Sequence, residues 1–258
     1  MLNAGGPYYS IGGGNGMLTF ELLSKAGGRE HNEDYVGMYQ KGDTFCFVLA
    51  DGLGGHGNGE VASQTAVGTV IDEFACNEKR DSLDLGSFFI SSQNRIQKLQ
   101  KEDISKKDMR TTLVILEVTE KYAAYGHIGD SRLYVFENGK IRERTLDHSV
   151  PQMLVNAGEL KEKKIRNHPD RNRLLRALGE QVEEVKYQLA DPIPIHSQMA
   201  FLLCSDGFWE LIDEKKMEDS LKKSKTPIQW LEKMEEIVKK NGRWKKMDNY
   251  SAIGVWVQ

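Results

Sequence analysis

Proline is scarce and cysteine scarcer: the chain carries 6 prolines and 3 cysteines in 258 residues. So few prolines leave long stretches free to pair as strands or wind as helices. Cys46, Cys76 and Cys204 are odd in number and show no Cys-x-x-Cys spacing. That excludes a disulfide framework and a zinc ribbon. Cys46 and Cys204 sit inside apolar runs, as buried thiols in a reducing compartment do. An excess of charge is missing too. Lys and Arg total 35 against 38 Asp and Glu, a net charge of −3, which lacks the electrostatic footprint of a nucleic-acid or anionic-membrane binder. No run approaches the ~18 apolar residues of a membrane span. The first residues lack the charged start and apolar core of a secretion signal. The expectation is a cytoplasmic monomer with no nucleic-acid and no membrane partner. What remains, 39% hydrophobic and 28% charged residues, is ordinary for a globular protein of one large domain or two small ones.

Residues 1–16 are Gly-rich, without periodicity, and read as a flexible leader ahead of a single domain over 17–258. From Met17 the texture changes. Branched and aromatic residues predict strands at 17–23, 34–40 and 43–50, the last two joined by the turn Lys41-Gly42-Asp43. Apolar residues at helical spacing predict helices over 60–76 and 85–101. Strands are expected again at 112–118, 122–128, 132–136 and 140–144. A polar, helix-prone excursion follows over about 150–173, then strands at 182–189 and 199–204. Helices are expected at 209–212, 214–223 and 228–240, and a closing strand at 251–257. Strand clusters alternating with helix pairs imply sheets covered by helices.

The acids carry the chemical signal. Phe45–Ala50 is nearly all apolar and runs straight into Asp51-Gly52; Ala200–Cys204 runs through Ser205 into Asp206-Gly207. Carboxylates at the ends of buried strands face a desolvation cost that only pairing or a bound cation offsets. No Lys or Arg adjoins either. Glu33 and Asp34 immediately precede the run Tyr35–Gln40, Asp248 precedes the closing strand, and Asp130 ends another apolar segment. Taken singly, each acid fits an ordinary strand-end turn. Taken together, five or six carboxylates converging on one site would repel one another unless divalent cations lay among them. An all-oxygen set suits Mg²⁺ or Mn²⁺ rather than Zn²⁺. The loop from Asp51 to Gly59 brings backbone close to a ligand but lacks the Lys-Ser/Thr end of a P-loop.

In order along the chain stand Gly28–Asp34, Ala50–His56, Thr111–Leu113, His127–Arg132, Leu146–Ser149, Asn172–Gly179, Cys204–Glu210 and Asp248-Asn249. This series, from Met17 to Val257, resembles the metal-dependent PPM-type Ser/Thr protein phosphatases, the protein phosphatase 2C family, and most of all its small bacterial members. The resemblance implies an α+β fold: a four-layer α-β-β-α sandwich of two antiparallel sheets flanked by helix pairs, with the site at one end and a flap insertion at about 149–178. By position, Asp51 would bridge two metals and the Gly52 carbonyl would complete one. Asp206 and Asp248 would hold the other. Glu33 and Asp34 would act nearby, partly through waters. Asp130 with Asp206 would offer a third, weaker position. Arg29 would grip the phosphate, and with Asp51 forms the catalytic pair. Two Mn²⁺ or Mg²⁺ ions would share a hydroxide that attacks phosphorus in line. The implied reaction is hydrolysis of phosphoserine or phosphothreonine in proteins, with a phosphoprotein substrate and an opposing Ser/Thr kinase as partners. A catalytically silent regulator on the same fold, binding phosphoproteins or a kinase, is the alternative; one acting on small phosphoesters is another.

Three positions depart from the family pattern. Leu53 stands where animal relatives place a His, and His56 further on is read as a loop-packing residue. Arg110 replaces a common Gly before the Thr pair. Tyr250 replaces a small or aliphatic residue. His127 and His148 are read as structural, and Trp209 as packing the helix that begins beside it.

Overall fold

The computed structural model describes residues 9–11, 16–53, 58–76, 84–244 and 246–257. Side-chain placement is described from residue 18 onward. The chain opens with β1 (Tyr9–Ile11), β2 (Gly16–Lys25), β3 (Asp34–Lys41) and β4 (Thr44–Leu53), followed by α1 (Asn58–Cys76) and α2 (Gly86–Glu102). Next come β5 (Arg110–Thr111), β6 (Leu113–Val118), β7 (Tyr122–Ile128), β8 (Arg132–Glu137) and β9 (Lys140–Arg144). The last part holds α3 (Val150–Asn156), β10 (Gln188–Leu189), β11 (Ile193–Pro194), β12 (Met199–Cys204), α4 (Asp206–Trp209), α5 (Glu214–Lys222), α6 (Pro227–Gly242) and β13 (Tyr250–Val257).

Two antiparallel sheets form, in the orders β1-β2-β13-β12-β8-β9 and β10-β7-β6-β4-β3. The period of two along each central strand explains why they stack. In β4, Phe45, Phe47 and Leu49 enter the core between the sheets, while Cys46, Val48 and Ala50 turn outward under α1 and α2. In β12, Met199, Phe201 and Leu203 face the same inner core, and Ala200, Leu202 and Cys204 face the side covered by α4, α5 and α6. A strand buried on both faces must be apolar throughout, which is why both read as unbroken hydrophobic runs. The result is the four-layer sandwich. Among the described residues no helix is long and apolar enough to cross a membrane.

Four expectations change. Of 182–189, only Gln188–Leu189 pairs, with β7. The alternation Val185, Tyr187 reads as a strand, but these side chains pack onto the α2 layer, Tyr187 stacking on Phe89 at 4.8 Å. The excursion after Ser149 is mostly irregular: α3, capped by Ser149 with Pro151 in its first turn, and one 3₁₀ turn at Glu162–Asn167. The helix expected at 209–212 lies earlier, at Asp206–Trp209, where the Ser205 carbonyl accepts from the Phe208 and Trp209 N–H groups and opens the turn. Tyr9–Ile11, read as part of a flexible leader, pairs with Gly16–Leu18; residues 1–8 and 12–15 lie outside the described residues.

Candidate active site

The register of the sheets carries the acids to one end of the sandwich. Asp34 is the cross-strand partner of Asp51 in the β3–β4 ladder. Asp206 opens α4, just past the end of β12 and beside β13. Asp130 follows the Gly129 turn at the end of β7, and Asp248 directly precedes Asn249 and β13.

Small polar residues set the backbone that presents these acids. Thr112 Oγ1 accepts from the Asp51 N–H at 2.9 Å, and the Thr111 hydroxyl donates to the Asp51 carbonyl at 2.9 Å. The Ser205 hydroxyl donates to Asp34 Oδ2 at 2.7 Å. Asn249 Oδ1 accepts from the Glu33 N–H at 2.9 Å, while its amide donates to the Ala26 and His31 carbonyls. The Gly52 N–H donates to the Glu33 carbonyl at 3.0 Å, so the Gly52 turn and Glu33 are held together. A Cβ on Gly52 would lie 2.1 Å from the Gly59 carbonyl oxygen, so only glycine allows this approach. Gly54 to Gly57, with His56, lie outside the described residues.

The electrostatics are lopsided. Burial, aided by the other acids, pushes Asp34 up to about 7. Asp206 is likewise raised to about 7, by burial and then by Glu210, Asp248 and Asp34. Asp51 and Asp130 are pushed well above the usual carboxylate range for the same reasons. Glu33 is raised by burial, with Arg29 pulling the other way. Asp34 Oδ1 is buried with no hydrogen-bond donor. Arg29 stands at the rim, half-exposed, its guanidinium 2.7 Å from Asp248 Oδ2. A cavity of about 470 Å³ opens here, lined by Arg29, Arg166, Arg171, Asp206, Lys246 and Asp248 among others. A larger one, about 700 Å³, lies at the far end by Asn138, Gln198, Lys222 and Trp256 and has no acid in its wall, so size does not mark the site.

The acids influence one another without forming a closed cage: among the described residues, no three His, Cys, Asp or Glu side chains stand as a finished metal-ligand group. The donor set nonetheless fits a hard cation. It is all oxygen, crowded with like charge, and includes a buried acceptor lacking a donor.

Sequence reasoning missed the residues that hold the acids. Thr112, Ser205 and Asn249 have no charge to draw attention, yet each adjoins a strand end inside one of the matched strings. Trp209 does more than pack, since its Nε1 donates to the Asp130 carbonyl at 3.0 Å. Tyr250 is buried and donates to Glu235 at 3.1 Å; Arg110 is exposed on β5.

Comparison with known proteins agrees with this fold. A family profile described as protein phosphatase 2C matches residues 24–250. The serine/threonine phosphatase stp of Listeria monocytogenes is 35% identical over 206 residues, covering 77% of this chain and 80% of its own. The protein phosphatase PhpP of Streptococcus pneumoniae is 31% identical over 212 residues, covering 78% and 83%. Among solved structures, serine/threonine phosphatase Stp1 from Staphylococcus aureus superposes with a TM-score of 0.86 at 26% identity, over 99% of this chain and 100% of that one. The catalytic domain of PstP, solved with two manganese ions, gives a TM-score of 0.80 at 25% identity, over 94% and 99%. The chain belongs to the protein phosphatase 2C family.

Proposed function

We propose that the protein hydrolyses phosphoserine and phosphothreonine in phosphoproteins, opposing a Ser/Thr kinase, with two Mn²⁺ or Mg²⁺ ions and a third, weaker one. The observation that carries this reading is the gathering of Asp34, Asp51, Asp130 and Asp206 at one end of the sandwich with their ionisation suppressed by burial and by one another. Asp51 and the Gly52 carbonyl would hold one ion, Asp206 and Asp248 the other, with Glu33 and Asp34 beside them. Asp130 with Asp206 would hold the third. The two manganese ions of the PstP structure support the count. Such ions supply an activated water and positive charge at the phosphoryl oxygens.

The chain's own residues do the rest. Arg29 offers a planar fork of donors at the cavity rim, suited to two phosphate oxygens at once. Its Nη2 is bonded to Asp248, so phosphate and that acid draw on the same fork of donors. Thr112 and Ser205 hold Asp51 and Asp34 so that neither reorients as charge builds. The low-dielectric surroundings that raise these acids also strengthen their attraction for any cation they gather. The test is a Mn²⁺-dependent assay on a phosphothreonine peptide with Asp51→Asn as control. Turnover is expected with the ion, and none with chelator; the variant should lose roughly 10²–10³-fold in kcat. No turnover with Mn²⁺ supplied, or full turnover in the variant, removes the enzymatic reading and leaves the silent regulator.

A further inference from the structure

His148 stands where the flap leaves the sandwich, and it grips the turn that presents Asp130. Its N–H donates to the Gly129 carbonyl at 2.9 Å, and its ring Nδ1 accepts from the Gly129 N–H at 3.2 Å. One residue thus satisfies both backbone groups of Gly129. That glycine has φ +100°, and a Cβ there would meet Thr112 Cγ2 at 2.5 Å, so the turn is fixed by conformation as well as by bonds. Thr112 is the residue that anchors Asp51. On its other side, the His148 carbonyl accepts from the Leu175 N–H at 2.8 Å, and Val150 N–H donates to the Arg173 carbonyl at 2.9 Å around the Ser149–Leu174 bridge. These bonds close the flap at its base. His148 therefore joins the outgoing segment of the flap, the returning segment at Leu175 and the Asp130 turn.

The ring is held in one form. A backbone N–H donates to Nδ1, so the proton sits on Nε2. His127 Nε2 contacts the Leu146 carbonyl at 2.8 Å and must donate to it, giving the same tautomer. The two rings stack at 4.6 Å and 10°. Burial and the neighbouring His127 push His148 down to about 3, so it stays neutral through the physiological range and is no pH sensor. The buried Nε2 has no well-formed partner, with the Gln188 side chain near it.

We propose that His148 is a positioning residue that locks the Gly129–Asp130 turn and the flap base into one unit, so that the Asp130 carboxylate and the flap are set together over the substrate site. Its kinetic consequence rests on the phosphatase reading above; its mechanical consequence does not. The test compares His148→Leu, which leaves the Gly129 N–H without an acceptor, with His148→Asn, whose side-chain oxygen can replace Nδ1. Full-length protein is measured in three ways: limited proteolysis without added metal, calorimetric Mn²⁺ titration, and steady-state kinetics on a phosphothreonine peptide. In the Leu variant, cleavage between residues 149 and 174 should accelerate and the weakest Mn²⁺ site should lose roughly 10-fold in affinity, the tighter sites staying as they are. The rate should fall through kcat rather than KM, and the Asn variant should recover all three. Wild-type behaviour in the Leu variant overturns the proposal. So does an Asn variant no better than Leu, or cleavage that accelerates throughout the chain rather than at the flap. Should the Leu variant fail to fold, nitrogen NMR of the wild type decides: a ring protonated at Nε2 is expected, and one protonated at Nδ1 overturns the assignment. A wild type that neither binds Mn²⁺ nor turns over peptide would remove the phosphatase reading, while flap cleavage and the tautomer would still judge His148.

Discussion

Two groups of buried charge lie at the same end of this sandwich, and they are built on opposite rules. In the first, Arg132 donates to both Asp147 oxygens at 2.7 and 2.6 Å, adds a bond to the Tyr134 hydroxyl at 3.0 Å, and lies 3.4 Å from the centroid of the Trp209 ring. Every charge there has its opposite, and nearly every donor its acceptor. In the second, Asp34, Asp51, Asp130 and Asp206 crowd together, and among the described residues the cation bonded at their rim, Arg29, is half-exposed and held by Asp248. Both groups include buried acids, Asp147 in the first and Asp34 and Asp130 in the second, so burial alone does not separate them. Charge balance does. The first is complete within the fold; the second reaches completion only with something the chain does not encode, which is what a binding site requires.

The comparison breaks first if the balanced group proves dispensable. Asp147→Ala would leave the buried Arg132 guanidinium with only the half-buried Glu214 carboxylate, 3.8 Å away, and with Arg144 close by as a second cation. The expected loss is about 3–5 kcal/mol in chemical denaturation with chelator present. A loss under about 1 kcal/mol would mean the pair is as replaceable as a surface bridge, and the distinction between the two groups would fall.

The unbalanced group should respond to pH instead. Its carboxyls hold protons more tightly in the native state than in the unfolded chain, so folding is favoured at low pH and loses ground as pH rises toward about 7, where Asp34 and Asp206 ionise. His127 and His148 oppose this at lower pH. Their depressed values make the native state bind fewer protons, so stability rises with pH until the unfolded histidines have titrated near 6.5. Between pH 6.5 and 8 the carboxyls act alone, and metal-free protein should lose about 1–2 kcal/mol. Mn²⁺ should flatten that decline and stabilise more at pH 8 than at pH 6. A flat thermal-unfolding profile without the ion, or equal stabilisation at both pH values, contradicts the account of mutual repulsion.

The layers and the acids were legible in the sequence for the same reason. Strands buried on two faces, such as Phe45–Ala50 and Ala200–Cys204, are unbroken apolar runs, and a carboxylate at the end of such a run stands out against them. What was hidden depends on contacts distant in sequence. Nothing in Val182–Leu189 says that Tyr187 would find Phe89 on a helix a hundred residues earlier rather than a strand neighbour. The need for glycine at 207 follows from its approach to the Asn249 carbonyl, a contact between segments about forty residues apart at the end of the β12–β13 ladder. Ser205 and Asn249 were passed over because uncharged side chains declare a role only when the groups they bond are known. The Arg132–Asp147 pair joins two matched strings whose pairing neither one reveals.

Arg29 offers the smallest stability effect and the finest test. Its bond to Asp248 is as short as those of Arg132, at 2.7 Å, yet the two side chains keep 45% and 39% of their exposure. Water screens such a pair, and holding two flexible side chains in one geometry costs entropy, so Arg29→Ala should change stability by less than about 1 kcal/mol. Part of even that change is indirect, because the guanidinium also favours the ionised form of Glu33 against the burial that disfavours it. Turnover of the phosphothreonine peptide should nevertheless fall by roughly 10²-fold in kcat/KM as the charged phosphate contact disappears. A variant that unfolds easily would place Arg29 beside Arg132 as a structural cation. One that remains stable and keeps its turnover would leave the rim of the cavity without the group assigned to hold the phosphate.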